Sequence, residues 1–184
     1  MKEARYRTIV ADPPWDYSDG RPGWSWRNGR PSGIDRPFDY GFMSLGQIAD
    51  LGVTRVIDRD AHLYLWTTQR YIRDAFWIAD AWRFRVSCVL VWCKAPTGFN
   101  VGGTYMNSVE FVLFCRRGTL KAKTKMPTQW FQWPRTEHSN KPDAFLDMVE
   151  QVSPGPYLEL FARRQRLGWD TWGNEALEHV AMGV

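Results

Sequence analysis

Only three histidines and three cysteines occur in this chain of 184 residues. His62, His138 and His179 stand far apart, with no ligand spacing between them, so no metal is expected. Cys88, Cys93 and Cys115 form no CxxC pair and sit in apolar runs, which reads as reduced core thiols in a cytoplasmic protein. No apolar run reaches the roughly 18 residues of a membrane-spanning helix, so no membrane partner is expected. The opening residues, MKEARYRTIVADPPW, lack the apolar segment of a signal peptide. Neither an internal repeat nor a low-complexity tract occurs. The net charge of +4 is compatible with a nucleic-acid partner but too mild to demand one.

Aromatic residues, by contrast, are abundant. Eleven tryptophans exceed what a core this size requires. Several stand beside arginine in polar stretches: Trp24 and Trp26 with Arg27, and Trp133 with Arg135. Such a surface suits stacking on bases, although exposed aromatic bodies are also common without that role.

Short apolar runs alternate with helical patterns. Residues 8–11 read as a buried strand ending at Asp12, and HLYLWTT (62–68) as a second. Ile72, Ala75, Phe76, Ala79 and Trp82 have helical spacing between Arg70 and Phe84. VSCVLVWCK and SVEFVLFCRR are two further strands, joined by the Gly-rich KAPTGFNVGGTYMN. KPDAFLDMVEQV is a helix with Pro142 in its first turn. YLELFAR is a fifth strand and WDTWGN a shorter sixth. Ser44 and Gln47 form a capping-box pattern. Residues 18–41, rich in Gly, Pro and Arg, read as one long loop without period. This order predicts one α/β domain over residues 1–184, with a mostly parallel sheet. Chemistry gathers at the carboxyl ends of strands in such sheets, where Asp12, Thr67, Lys94, Arg163 and Asn174 fall.

The stretch ADPPWDY carries the sharpest signal. Proline fixes its own φ and drives the residue before it into extended geometry, so Asp12-Pro13-Pro14 aims successive carbonyls rigidly. Two prolines also remove two N–H donors, leaving a corner dominated by acceptors. A carboxylate beside a fixed carbonyl suits an amino group with two N–H donors, and Trp15 offers a flat face for the ring that bears it. The competing reading is a proline turn closed by a core tryptophan.

The motif ADPPW, HLYLWTT, VWCKAPTGFNVGGTYMNSVEFVLF and HSNKPDAFLDMVEQVSPGPYLELFARRQRLGWDTWGNE, in that order, resemble the S-adenosylmethionine-dependent N6-adenine methyltransferases of the mRNA-adenosine type, the MT-A-seventy family. The resemblance covers nearly the whole chain. It implies a Rossmann-like methyltransferase fold with helices on both faces of the sheet, circularly ordered so that the catalytic motif precedes the cofactor-binding half. It also implies that Asp12, Pro13, Pro14 and Trp15 are catalytic. S-adenosylmethionine would be held by Asp12, Lys141, Glu159, Phe161, Arg163, Asn174 and Glu175. ELFARRQ has alanine where relatives commonly carry glycine, and the upstream aspartate of some larger relatives has no counterpart here.

The residues themselves make these roles reasonable. Lys141 stands beside the start of a helix, where a cation opposes the dipole unless an anion binds. Glu159 and Arg163 could reach ribose hydroxyls or pair with each other. Asn174 and Glu175 follow Gly173, where a backbone can approach a ligand closely. Tyr17, Trp24, Trp26, Arg27, Lys94 and Asn107 are assigned to the substrate. Arg21, Arg30 and Arg36 complete an arginine–tryptophan loop that reads as a base clamp or a cofactor lid, and Lys121, Lys123 and Lys125 form a second basic cluster. The expected function is methyl transfer to the N6 amine of adenine in nucleic acid, in a bacterial or phage-infected cell, DNA favoured over RNA. Neither membrane nor metal takes part, and a homodimer is left open. Two other classes stand beside it: a degenerate methyltransferase fold that only binds nucleic acid, and a methyltransferase for a small amine.

Overall fold

The apolar runs pair into one sheet, and their alternation decides what lies on each side of it. The computed structural model describes residues 5–17, 26–27, 30–31, 42–95, 104–105, 107–134 and 141–173. The strands are β1 (Tyr6–Ala11), β2 (Trp26–Arg27), β3 (Arg30–Pro31), β4 (Ile57–Thr67), β5 (Arg85–Ala95), β6 (Val109–Arg117), β7 (Trp130–Pro134), β8 (Tyr157–Leu160) and β9 (Trp169–Trp172). The helices are α1 (Leu45–Ala49), the single turn α2 (Val53–Val56), α3 (Ile72–Ala81) and α4 (Asp143–Val152).

Seven strands form the main sheet in the order β7-β5-β6-β4-β1-β8-β9. Pairings of β1 with β4 and β8, of β8 with β9 and of β5 with β7 are parallel. β6 alone runs the other way, between β4 and β5. The fold is thus mixed α/β with a mostly parallel sheet.

Strand side chains alternate between faces. Ile9, Ala11, Leu63, Leu65, Leu113 and Leu158 join Ile48, Val53, Ala75 and Ile78 from α1–α3, and Trp82 at the C-cap of α3, in one core. Their neighbours Val10, Tyr64, Trp66 and Val112 join Phe145, Leu146, Met148 and Val149 of α4 in another. Each fully buried large side chain contributes about 1.5–3 kcal/mol. The capping box is formed: Gln47 N–H donates to Ser44 Oγ, and Ser44 N–H to Gln47 Oε1.

Several boundaries differ from the sequence reading. β4 begins at Ile57 rather than near His62, and α3 covers ten residues inside the stretch read as helix. Pro142 is the N-cap of α4 rather than part of its first turn. β8 stops at Leu160, so Arg163 lies in the following turn and not at a strand end. The turn is forced there: Phe161 has φ +63°, and the N–H groups of Phe161 and Ala162 both donate to the Trp172 carbonyl. Gly173 makes this approach feasible, since a Cβ at that position would lie 2.6 Å from Ala162 backbone atoms. β7 and the two-residue β2–β3 ladder were absent from the sequence reading altogether. The ladder pairs Arg27 with Arg30 inside the segment read as a loop without structure.

No helix among the described residues is long and apolar enough to cross a membrane. No group of three His, Cys, Asp or Glu among them could hold a metal ion. Cys88, Cys93 and Cys115 are free thiols.

Candidate active site

β1 ends in Ala11, and the chain turns at once through Asp12-Pro13-Pro14-Trp15. The turn is tied down by its own carbonyls. Trp15 N–H donates to Pro13 O (2.9 Å) and Met43 N–H to Pro14 O (3.1 Å). Trp15 is only 4 % exposed and lies in the first core, its ring stacked on Tyr71 at 5.2 Å and 14°. This corrects the reading of Trp15 as an open face for a base. Burial of the large indole is the stronger force, so the residue fixes the turn from below. Tyr71 reinforces the turn by donating its hydroxyl to Asp16 O. The Tyr17 hydroxyl lies 3.1 Å from Thr68 Oγ1, and burial raises its pKa above the ordinary phenol value.

From Asp12 a chain of alternating charges runs along the carboxyl edge of the sheet. Lys141 Nζ lies 3.1 Å from Asp12 Oδ2 and 2.9 Å from Glu110 Oε2. Glu110 Oε1 in turn lies 2.5 Å from Lys94 Nζ. Asp12, Lys141, Glu110 and Lys94 are only 26, 22, 16 and 13 % exposed at the side chain. Lys141 lies 4.8 Å from the centre of the Trp66 ring, and Lys94 5.4 Å from that of Trp92. Burial by itself would push Glu110 up, but the two ammonium groups outweigh it and hold the carboxyl below its usual range. Burial would likewise lower Lys141, and the Asp12 and Glu110 carboxylates reverse this and raise it. Both stay charged over the whole neutral range.

One strand over, the opposite situation holds. Glu159 of β8 pairs in register with Val10, two residues before Asp12. Its Oε2 is buried without a hydrogen-bond partner. Burial raises its pKa to about 7; Arg164 opposes the shift and Asp12 adds to it. A pocket joins this group to Asp12 and Lys141, walled by Trp66, Pro142, Phe145, Leu146, Phe161, Arg163 and Arg164. The arginine-rich turn after β8 is clamped to α4, with Arg164 on Asp143, and Arg166 on Asp147 (2.5 Å) and Glu150 (2.8 Å).

The structure therefore brings Asp12, Lys141, Glu159, Phe161 and Arg163 around one pocket, with Lys94 connected through Glu110. Asn107 is exposed just ahead of β6, where the Ser108 carbonyl accepts from Lys94 N–H. Trp24, Arg21, Arg36, Asn174 and Glu175 lie outside the described residues, as do the side chains of Trp26, Arg27 and Arg30. Lys121, Lys123 and Lys125 are exposed, and Lys123 Nζ donates to Glu150 O. Sequence reasoning missed Glu110 and Trp66. A lone acid inside the apolar run SVEFVLF was the available signal for the first.

A mostly parallel sheet with charged groups gathered over its carboxyl edge is the layout of an α/β enzyme that binds a small organic ligand there. Comparison with known proteins narrows the class. The MT-A70 (MT-A-seventy) family model matches residues 6–175. The chain is 31 % identical to the type II methyltransferase M.MunI of Mycoplasma over 188 residues, covering 95 % of this chain and 79 % of that protein. It is 25 % identical to the human N(6)-adenine-specific methyltransferase METTL4, of which it spans 39 %, and 24 % identical to the catalytic subunit METTL3 of human N(6)-adenosine-methyltransferase, of which it spans 28 %. The chain belongs to the MT-A70 family of S-adenosylmethionine-dependent N6-adenine methyltransferases.

The pocket suits that cofactor on its own chemistry. An orphaned buried carboxylate oxygen calls for hydroxyl donors such as those of a ribose, and the phenylalanine, leucine and proline walls suit its apolar parts.

Proposed function

We propose that this N6-adenine methyltransferase acts on DNA, with Asp12 and the Pro13 carbonyl receiving the adenine amine. The observation that carries the reading is the position of Asp12: at the end of β1, on a proline-locked turn, its carboxylate fixed by Lys141, which Glu110 holds from behind. The exocyclic amine is a poor nucleophile because its lone pair is spread into the ring. Asp12 and Pro13 O accept hydrogen bonds from its two N–H groups, localise the lone pair and stabilise the positive charge that grows on nitrogen. Pro13 O already takes the Trp15 N–H and has a second lone pair for this purpose. Trp15 and Tyr71 act beneath the turn, keeping its geometry within reach of attack.

S-adenosylmethionine, when bound, supplies the sulfonium methyl group. Glu159 accepts from ribose hydroxyls. Lys141, with two of its three N–H donors committed to Asp12 and Glu110, keeps the third for an anionic group of the cofactor. Phe161, Arg163, Asn174 and Glu175 complete that half. Lys94 and Asn107 stand on the base side with Tyr17, and Trp24, Trp26 and Arg27 belong to the polymer clamp. The fold is read as a circularly ordered, Rossmann-like methyltransferase: Asp12 comes early and Glu159 late, yet β1 and β8 are neighbours.

DNA rather than RNA is supported by the match to a type II methyltransferase over most of both chains, where the human relatives share much less of their length. The test is transfer from labelled cofactor to matched DNA and RNA oligonucleotides, read as N6-methyladenine by mass spectrometry. The expected product is in DNA. Label in RNA alone overturns the choice of polymer.

A further inference from the structure

The edge of the sheet opposite Asp12 carries a second charged pocket, of a different kind. Arg83, Arg85, Arg116 and Arg117 line it with Asp80, Phe84 and Gly118. None of these arginines forms an ion pair among the described residues. Asp80 is the one acid in the wall, and nearby Asp60 is already engaged by Arg59 and Thr119. Arg85 and Arg116 stand directly opposite each other on β5 and β6, a placement that destabilises a sheet when both charges are alike. Nη1 of Arg117 is buried without an acceptor. Arg83 has φ +62° at the close of α3, where the backbone favours glycine or asparagine. A cation after a helix C-terminus is favourable in itself, which accounts for Arg83 but not for the facing pair or the orphaned donor.

Four guanidinium groups without an ion pair, of which Arg116 donates only to the Leu120 carbonyl (2.8 Å) and Arg117 keeps one buried donor without a partner, call for an anion with several oxygens, and guanidinium geometry matches phosphate. We propose that this pocket binds a backbone phosphate of the nucleic-acid substrate, as an anchor remote from the methyl-transfer site; the inference rests on the nucleic-acid reading above. The spacing fits. Arg85 and Lys94 are nine residues apart on β5, roughly 30 Å at about 3.3 Å per residue, which is close to one turn of duplex. A substrate must therefore extend about one turn beyond the target adenine to engage the pocket.

The test uses the full chain carrying Arg83→Gln and Arg85→Gln together, both exposed positions, and separately Arg117→Gln. Binding of a non-specific duplex of about three turns is measured without cofactor at several salt concentrations. Methyl transfer is measured on a single-stranded tetranucleotide too short to span the two sites. The anchor predicts that the slope of log affinity against log salt flattens by about 0.9 per arginine removed, with transfer to the tetranucleotide unchanged. An unchanged slope overturns the anchor while leaving the proposed activity intact. Loss of tetranucleotide transfer also overturns it, since the residues would then support the fold or the active site. Competition by inorganic phosphate with no change in duplex slope assigns the pocket to a free anion and overturns the nucleic-acid role. Wild-type protein that binds no duplex and methylates no oligonucleotide removes both readings together.

Discussion

Two carboxylates on neighbouring strands, Asp12 after β1 and Glu159 on β8, occupy the same edge of the sheet under opposite conditions. Asp12 heads a chain in which every charge meets its opposite: Lys141, then Glu110, then Lys94. Glu159 has a buried oxygen with no donor, and its pKa is raised to about 7. The first corner is assembled before any ligand arrives, which is what a group that must stabilise developing charge requires. The second is left unsatisfied, at an energetic cost that the proposed cofactor ribose would remove with its hydroxyl donors. On the function proposed above, the contrast would separate a preorganised reacting centre from a binding subsite that the ligand completes.

The largest expected effect comes from breaking the first corner at its tip. Asp12→Ala should keep the fold by circular dichroism and lower turnover about 10²-fold or more. Wild-type turnover in a folded variant would detach Asp12 from the chemistry. Next in size is the hidden middle of the chain. Glu110→Gln leaves two ammonium groups with one carboxylate fewer and should cost about 2 kcal/mol in stability, somewhat below a fully buried pair because these groups are partly exposed. Denaturant unfolding measures it. Because the folded protein holds the Glu110 carboxyl below its usual range, its contribution is present above that range and is lost as the pH falls through the lowered value. The variant should lack that part of the acid sensitivity.

Glu159 should show the reverse sign. Its raised pKa means that the ligand-free protein favours the protonated acid. That contribution is full below the ordinary carboxylate value and is lost as the pH rises through about 7. Glu159→Gln should therefore raise the melting temperature of the ligand-free protein at pH 8 and leave it little changed at pH 5. Cofactor affinity should rise between pH 6 and pH 8 in the wild type, as the carboxylate becomes the acceptor for ribose hydroxyls, and stay flat in the variant. Calorimetry giving parallel pH profiles would remove Glu159 from the cofactor site. The smallest effect belongs to the outer end of the charge chain. Lys94→Ala leaves Glu110 paired with Lys141, so a loss of about 0.5–1 kcal/mol in unfolding free energy is expected. A loss as large as that of Glu110→Gln would show that the chain acts as one unit.

Asp12, Lys141 and Glu159 were legible in the sequence because each breaks a local rule: an acid before two prolines, a cation at a helix start, an acid in an apolar strand. Glu110 breaks the last rule as well, yet nothing local says that two lysines, one from β5 and one ahead of α4, will meet it. β7 escaped notice because Trp130–Pro134 follows an exposed basic stretch and pairs with β5, far away in sequence. The β2–β3 ladder carried a local sign, Asn28-Gly29 between Arg27 and Arg30, a dipeptide that favours tight hairpins.

Local chain chemistry by itself determined the alternation of strands and helices, the capping box at Ser44 and the rigid acceptor turn after β1, because each depends on backbone dihedrals and side-chain period within a few residues. The tertiary structure decided which face of Trp15 would be covered, that Phe161 would turn left-handed against Trp172, and that Asp12 would be compensated while Glu159 would not. Those outcomes depend on burial and on charges brought together from distant segments. A carboxylate's partners are set by which strands become neighbours, and here β8 pairs with β1 although almost the whole chain lies between them in sequence.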